Sequence, residues 1–160
     1  MVYAKLMKVS NEVIQKHVYN FKGVEFRLEK VEGIKNNTYY NDSKSTTPDS
    51  TIIAIEALNS NDSVLILGGK DKGLNFKQLV SCINSKNNIK LVLLFGQIKD
   101  KFENIKVNTV SFNDLDEVVE YIKENIDDKN ILFSPATSSF DQYTNYEQRG
   151  RHFNRLIKGD

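Results

Sequence analysis

At 160 residues, 39% apolar and 27% charged side chains and a formal net charge of +1, the chain has the size and composition of one soluble globular domain. The near balance of charge excludes a dedicated nucleic-acid binder, which carries a basic excess or a basic stripe. The single cysteine, Cys82, allows no internal disulfide, and no run is long and apolar enough for a membrane span or organised as a signal peptide, so no membrane partner and a cytoplasmic location are expected.

Along the chain, Ser10-Asn11-Glu12 followed by Val13, Ile14, Val18 and Phe21 predicts a short capped helix, preceded by an apolar patch at Tyr3, Leu6 and Met7. No strand precedes it, so residues 1–20 are expected to form a helical lead-in, joined through Asn20-Phe21-Lys22-Gly23 to a domain over 21–160. The start at Met1-Val2, directly inside a helical pattern, fits a piece of a longer protein better than an independent one.

The β-formers Thr38, Tyr39 and Tyr40 predict a strand, and Thr47-Pro48 reads as a helix N-cap followed by proline at the first helical position, with Ile52, Ile55 and Leu58 on one face beyond it. Between strand and helix lies Asn41-Asp42-Ser43-Lys44-Ser45-Thr46, an acid, a base and hydroxyls in one turn. The helix would turn its free N–H groups and positive dipole end towards an anion held there. The same residue types also favour ordinary hydrophilic turns, so both readings stand at this point.

From Ser63 onward apolar runs alternate with helical patterns. Val64-Leu65-Ile66-Leu67 ends at Gly68-Gly69, Leu91-Val92-Leu93-Leu94-Phe95 at Gly96, and Ile131-Leu132-Phe133 at Ser134-Pro135. Continuous apolar runs of this length read as buried parallel strands. Helices are expected after Asn75, from near Gln97, over 114–126 with Leu115, Val118, Val119, Ile122 and Ile126 in one stripe, and over roughly 143–157. The acidic residues Asp114, Asp116, Glu117, Glu120 and Glu124 fall on the opposite, solvated face. The sum is an α/β fold, a Rossmann-like, mainly parallel sheet flanked by helices behind a short helical lead-in.

Ligands of such sheets bind beyond the carboxyl ends of the strands. Besides the Asp42–Thr46 turn, two more such ends are chemically loaded: Gly68-Gly69-Lys70-Asp71-Lys72-Gly73, and Ser134-Pro135-Ala136-Thr137-Ser138-Ser139. The first pairs backbone-exposing glycines with two lysines but lacks Walker P-loop spacing, and a solvated turn is its plainer reading. Together the three would line a cationic, hydroxyl-rich rim suited to a small polyanion. His17 and His152 have no ligand-spaced partner, so no metal site is expected. Ser139 has no nearby His base, Cys82 reads as core, and Arg149, Arg151 and Arg155 read as a solvated basic cluster on the last helix.

Taken in order, these motifs resemble the C-terminal domain of the Mur ligases, and among them the D-glutamate-adding members. The resemblance rests on Phe21-Lys22-Gly23 with Arg27-Leu28-Glu29, on the three loops above, on Phe140-Asp141-Gln142-Tyr143, and on 145–153, Asn-Tyr-Glu-Gln-Arg-Gly-Arg-His-Phe. It covers nearly the whole chain, with residues 1–20 resembling the end of the central ATPase domain.

The resemblance implies an ATP-dependent carboxylate–amine ligase of peptidoglycan synthesis acting on UDP-N-acetylmuramoyl-L-alanine. ATP and Mg would be bound mainly by N-terminal and central domains of the same enzyme, so this chain would hold no catalytic residue and be inactive alone. By position it implies Thr46, Lys72, Ser139, Phe140 and Tyr146 for D-glutamate. Arg27, Asp42 and Lys44 would serve the nucleotide, Asp42 either accepting from the ribose hydroxyls or orienting Lys44. Ser45, Thr137-Ser138 and Tyr146 depart from the family's common Ala, Cys-Ala and Phe, which leaves the detail of the glutamate pocket open. A stand-alone amino-acid or nucleotide binding module and a related ligase such as folylpolyglutamate synthetase are the alternatives.

Overall fold

The computed structural model describes residues 2–21, 23–58 and 61–159; Met1 and Lys22 of the motifs above lie outside them. Six strands form one sheet: β1 (Glu29–Val31), β2 (Thr38–Asn41), β3 (Ser63–Gly68), β4 (Ile89–Phe95), β5 (Asn108–Ser111) and β6 (Asn130–Phe133). Their order is β1-β2-β6-β3-β4-β5, parallel throughout except that β1 runs antiparallel to β2.

The central strands bury both faces, and alternate residues supply two separate cores. Val64, Ile66, Leu93, Phe95, Ile131 and Phe133 face α5 (Leu115–Asn125) and α6 (Tyr146–Lys158), meeting Val118, Val119, Ile122, Phe153 and Ile157. Leu65, Leu67, Val92, Leu94 and Leu132 face the other way, onto Ala54 and Ile55 of α3 (Pro48–Ala57) and Leu79, Val80 and Ile83 of α4 (Lys77–Ser85). Helix thus lies on both faces of the sheet, the expected α/β layering.

α3 begins as its sequence dictates: Thr47 accepts from the Ser50 N–H, the Ser50 hydroxyl accepts from the Thr47 N–H in return, and Pro48 occupies the first turn. α5 starts at the Asp114 cap, and its first-turn acids complement the helix dipole. The expected stripe of Leu115, Val118, Val119, Ile122 and Ile126 is buried.

Four details differ from the sequence expectations. The helix near Gln97 is a short 3-10 segment, Gly96–Lys101, in which Ile98 alone is buried; a single apolar anchor does not sustain a longer helix. The last helix starts at Tyr146, because the Asn145 side chain caps it by accepting from the Gln148 N–H. Cys82 lies half-buried at the margin of the α4 core instead of inside it, and that burial raises its thiol pKa. Arg149, expected on a solvated face, is completely buried.

α1 (Val2–Leu6) and α2 (Asn11–Asn20) stand apart in character. α2 is capped by Ser10, which accepts from Val13 N–H, yet buries none of its residues. Tyr3, Leu6, Met7, Val18, Tyr19 and Phe21 are all exposed.

Candidate functional site

Because β6 inserts between β2 and β3, the loops that leave these three strands are spatial neighbours at one edge of the sheet. The loop after β2 is a stiff hydrogen-bonded turn. Asn41 Oδ1 accepts from Ser43 N at 3.0 Å, while its Nδ2 donates to the Gly150 carbonyl and to Asn154 Oδ1. Asp42, only 2% exposed, has both carboxylate oxygens engaged: Oδ1 accepts from Leu28 N at 3.2 Å and Oδ2 from the Ser134 hydroxyl at 2.7 Å. Burial raises its pKa, opposed by hydrogen bonds from Ser45, Ser134 and Leu28 and by the Arg27 charge.

Arg27 projects from a tight turn in which Phe26 and Leu28 both adopt positive φ, at 60° and 45°. These are costly backbone geometries for non-glycine residues, and the surroundings enforce them. Lys44 N donates to the Phe26 carbonyl, Phe26 N donates to Glu29, and Phe26 packs against Gly150. Arg27 is exposed. Lys44 is half-buried and carries its ammonium 5.4 Å from the centre of the Tyr146 ring, a cation–π contact that ties it to the start of α6. The Tyr146 carbonyl accepts from the Ser43 hydroxyl at 2.8 Å. Arg27, Asp42, Lys44 and Tyr146 therefore form one linked group; Thr46, two residues beyond Lys44 in the chain, is half-buried.

The loops after β3 and β6 are zipped together. Lys70 N donates to the Ser138 carbonyl at 2.8 Å, and the Thr137 hydroxyl donates to the Lys70 carbonyl at 2.7 Å. Only glycine fits at position 69: φ is 130°, and a Cβ there would collide with the Ser138 carbonyl oxygen. Asp71 braces the lysine loop by pairing with Lys101 at 3.1 Å and accepting from Gly73 N at 2.9 Å, which leaves the side chains of Lys70 and Lys72 in solvent. Its pKa is lowered, chiefly by the Gly73 hydrogen bond and then by Lys101. Ser139 is 2% exposed and its carbonyl accepts from Gln142 and Tyr143, turning the chain so that Phe140 next to it is 61% exposed. The buried Ser138 hydroxyl has no hydrogen-bond partner among the described residues.

Arg149 connects all three loops. Its Nε donates to the Ser43 hydroxyl at 3.1 Å and Nη2 to the Ser43 carbonyl at 2.8 Å, while Nη1 reaches the carbonyls of Thr137 at 3.1 Å and Gly68 at 3.4 Å. Sequence reasoning missed it because an arginine among exposed arginines on an amphipathic helix gives no local sign of burial. The available signal was Gly150 beside it, a small residue that lets this face of α6 close onto Phe26. His152, also on α6, packs on Tyr143, with Nδ1 2.8 Å from its hydroxyl and Nε2 3.5 Å from Asp116.

No group of three or more His, Cys, Asp or Glu side chains converges to hold a metal among the described residues, and no described helix is long and apolar enough to cross a membrane. A separate groove of about 830 Å³ between α4 and 101–106, lined by Phe76, Val80, Asn84, Lys101 and Lys106, contains none of the loop residues above.

A rim of exposed cations over hydroxyls and backbone N–H groups suits carboxylates or phosphates. No family model matches the chain. Over 164 residues it is 37% identical to the UDP-N-acetylmuramoylalanine–D-glutamate ligase of Christiangramia forsetii, an alignment that covers 97% of this chain and 35% of that enzyme. The chain belongs to the Mur ligases. It is a Mur ligase C-terminal domain, and it spans about a third of the length of the relatives it matches. The fold agrees: the Thermotoga maritima MurF ligase, solved in complex with ADP, superposes with a TM-score of 0.72 at 13% identity, over 98% of this chain and 36% of that one. A domain described as part of a Haemophilus ducreyi UDP-N-acetylmuramate:L-alanyl-gamma-D-glutamyl-meso-diaminopimelate ligase superposes with a TM-score of 0.57 at 17% identity, over 82% of this chain and 99% of that one.

Proposed function

We propose that this Mur ligase domain receives D-glutamate and closes it onto a nucleotide-activated substrate in an ATP-dependent ligase that extends UDP-N-acetylmuramoyl-L-alanine. The observation that carries the reading is the convergence of the Asp42–Thr46, Lys70–Gly73 and Ser134–Ser139 loops on one sheet edge, in a chain 37% identical to the matching part of a D-glutamate ligase. The sugar-peptide carboxylate takes a phosphoryl group from ATP. The D-glutamate amine then attacks the resulting acyl phosphate, and phosphate leaves from a tetrahedral intermediate.

In this reading Lys72 and Thr46 hold the α-carboxylate, while Ser139, Phe140 and the Tyr146 region hold the side-chain carboxylate, so that their spacing selects the length of glutamate. Arg27 and Lys44 face the ATP phosphates and offset charge there. Asp42 acts by orientation: its oxygens already accept from Leu28 and Ser134, which fixes the turn that presents Lys44. Magnesium has no carboxylate cluster to hold it among the described residues. The exposed apolar side chains of α1 and α2 pack on the central domain of the same cytoplasmic enzyme, leaving the loop rim free to swing towards the nucleotide as a lid.

The test is ligation of labelled D-glutamate to UDP-N-acetylmuramoyl-L-alanine with ATP. The full-length enzyme carrying this chain ligates it and the isolated 160 residues do not. Lys72→Ala in the full-length enzyme raises the D-glutamate KM far more than Lys70→Ala, by about tenfold or more for loss of a charged contact to a carboxylate. Equal effects of the two lysines would remove the pocket assignment, and turnover by the isolated chain would remove the division of labour between domains.

A further inference from the structure

Arg149 is the largest fully buried side chain whose chemistry the functional reading leaves unused. A buried guanidinium is costly, and structures normally repay that cost with a carboxylate. Here all four acceptors are neutral: the Ser43 hydroxyl and the carbonyls of Ser43, Gly68 and Thr137. No carboxylate lies within salt-bridge distance among the described residues; Asp141 acts on the guanidinium only by longer-range attraction, and the face of Phe133 has its ring centre 6.0 Å from the guanidinium carbon. Burial pushes the pKa down to about 10, so the group stays charged at neutral pH.

The partners decide what such a charge does. Each of the three carbonyls sits where a strand gives way to a loop of the rim: Ser43 after β2, Gly68 at the end of β3, Thr137 after β6. Beside them, Gly69 lacks a side chain where a Cβ would meet Arg149 Nη1 at 3.0 Å, so the lysine loop leaves the sheet directly over the guanidinium.

We propose that Arg149 is the positioning residue of the amino-acid pocket: its rigid fork sets the spacing of the three loops, and its charge, held without a direct salt bridge, adds to their attraction for a dicarboxylate. This rests on the functional reading above. Arg149 does not touch the ligand; it acts through Thr46, Lys72 and Ser139, each carried by a loop that it holds. A lysine there would keep the charge but not the three-way fork, and a glutamine would lose both.

The experiment uses the full-length enzyme with Arg149→Lys, Arg149→Gln and Ser43→Ala, the last removing the Nε acceptor while leaving the guanidinium in place. Steady-state KM values for D-glutamate, ATP and the UDP-sugar substrate are measured, with the preference for D-glutamate over the shorter D-aspartate as a gauge of loop spacing. Arg149→Lys is expected to raise the D-glutamate KM about tenfold and Arg149→Gln about a hundredfold, with the UDP-sugar KM changed less than about twofold and the preference for D-glutamate reduced. Ser43→Ala moves the same parameters in the same direction, which keeps the test open if the glutamine variant does not fold. An unchanged D-glutamate KM and preference in folded Arg149→Lys, or all three KM values rising together, overturns the inference. If the unmutated enzyme does not use D-glutamate, the functional reading falls and this inference with it; if it does and the variants match it, the inference alone falls.

Discussion

Asp42 is the residue whose environment most constrains its role. Its pKa is raised by burial, so its protonated form is favoured in the folded chain relative to the unfolded one. The corresponding stability is present below the ordinary aspartate value of about 3.8 and is lost as pH rises through the raised folded value. Asp42→Asn removes that titration. The stability of the variant minus that of the unmutated chain should therefore increase between pH 4 and neutrality, read from urea midpoints at each pH. A constant difference would mean that the Leu28, Ser134 and Ser45 hydrogen bonds fully compensate burial. The carboxylate was visible in the sequence; that both oxygens are spent inside the protein was not, because the donors Leu28 and Ser134 lie 14 and 92 residues away.

Elements differ in how plainly they were written. β3, β4 and β6 were legible because strands buried on both faces must be continuously apolar. β1 and β5 went unread: they are the sheet's edge strands, short, and largely polar as Glu-Lys-Val and Asn-Thr-Val-Ser, so no periodicity marks them. α3 was legible at its start, since Thr47, Pro48 and Ser50 carry the capping chemistry locally. Thr47→Ala should lower stability by about 1 kcal/mol, the ordinary cost of losing such a cap, measured by guanidinium denaturation. A loss well under half of that would show that the buried Thr51, Ala54 and Ile55 alone hold the first turn in place.

At the scale of the molecule, the chain divides into a sheet with its helices and a lead-in that contributes no buried residue from α2. Deleting residues 2–20 should leave the unfolding midpoint of the remainder within a degree or two, because little apolar area leaves the core. A drop of about ten degrees would instead make the lead-in part of this folding unit. The Haemophilus ducreyi domain, almost all of which superposes on 82% of this chain, is consistent with a body of that extent standing alone. The exposed apolar residues of the lead-in are in turn what a domain docked elsewhere in a longer enzyme would show.

The amino-acid order by itself determined the α/β class, the three principal strands, the caps of α2 and α3 and the loaded loops, because each depends on residues a few positions apart. It also carried the family, since the motifs lie in one order along nearly the whole chain. Only the tertiary structure decided that the loops are neighbours, because β6 enters between β2 and β3 from far along the chain, and strand order leaves no local trace. It alone placed Arg149 at their centre. A buried arginine and a solvated one have the same spelling, and they are told apart by acceptors 12, 81 and 106 residues distant.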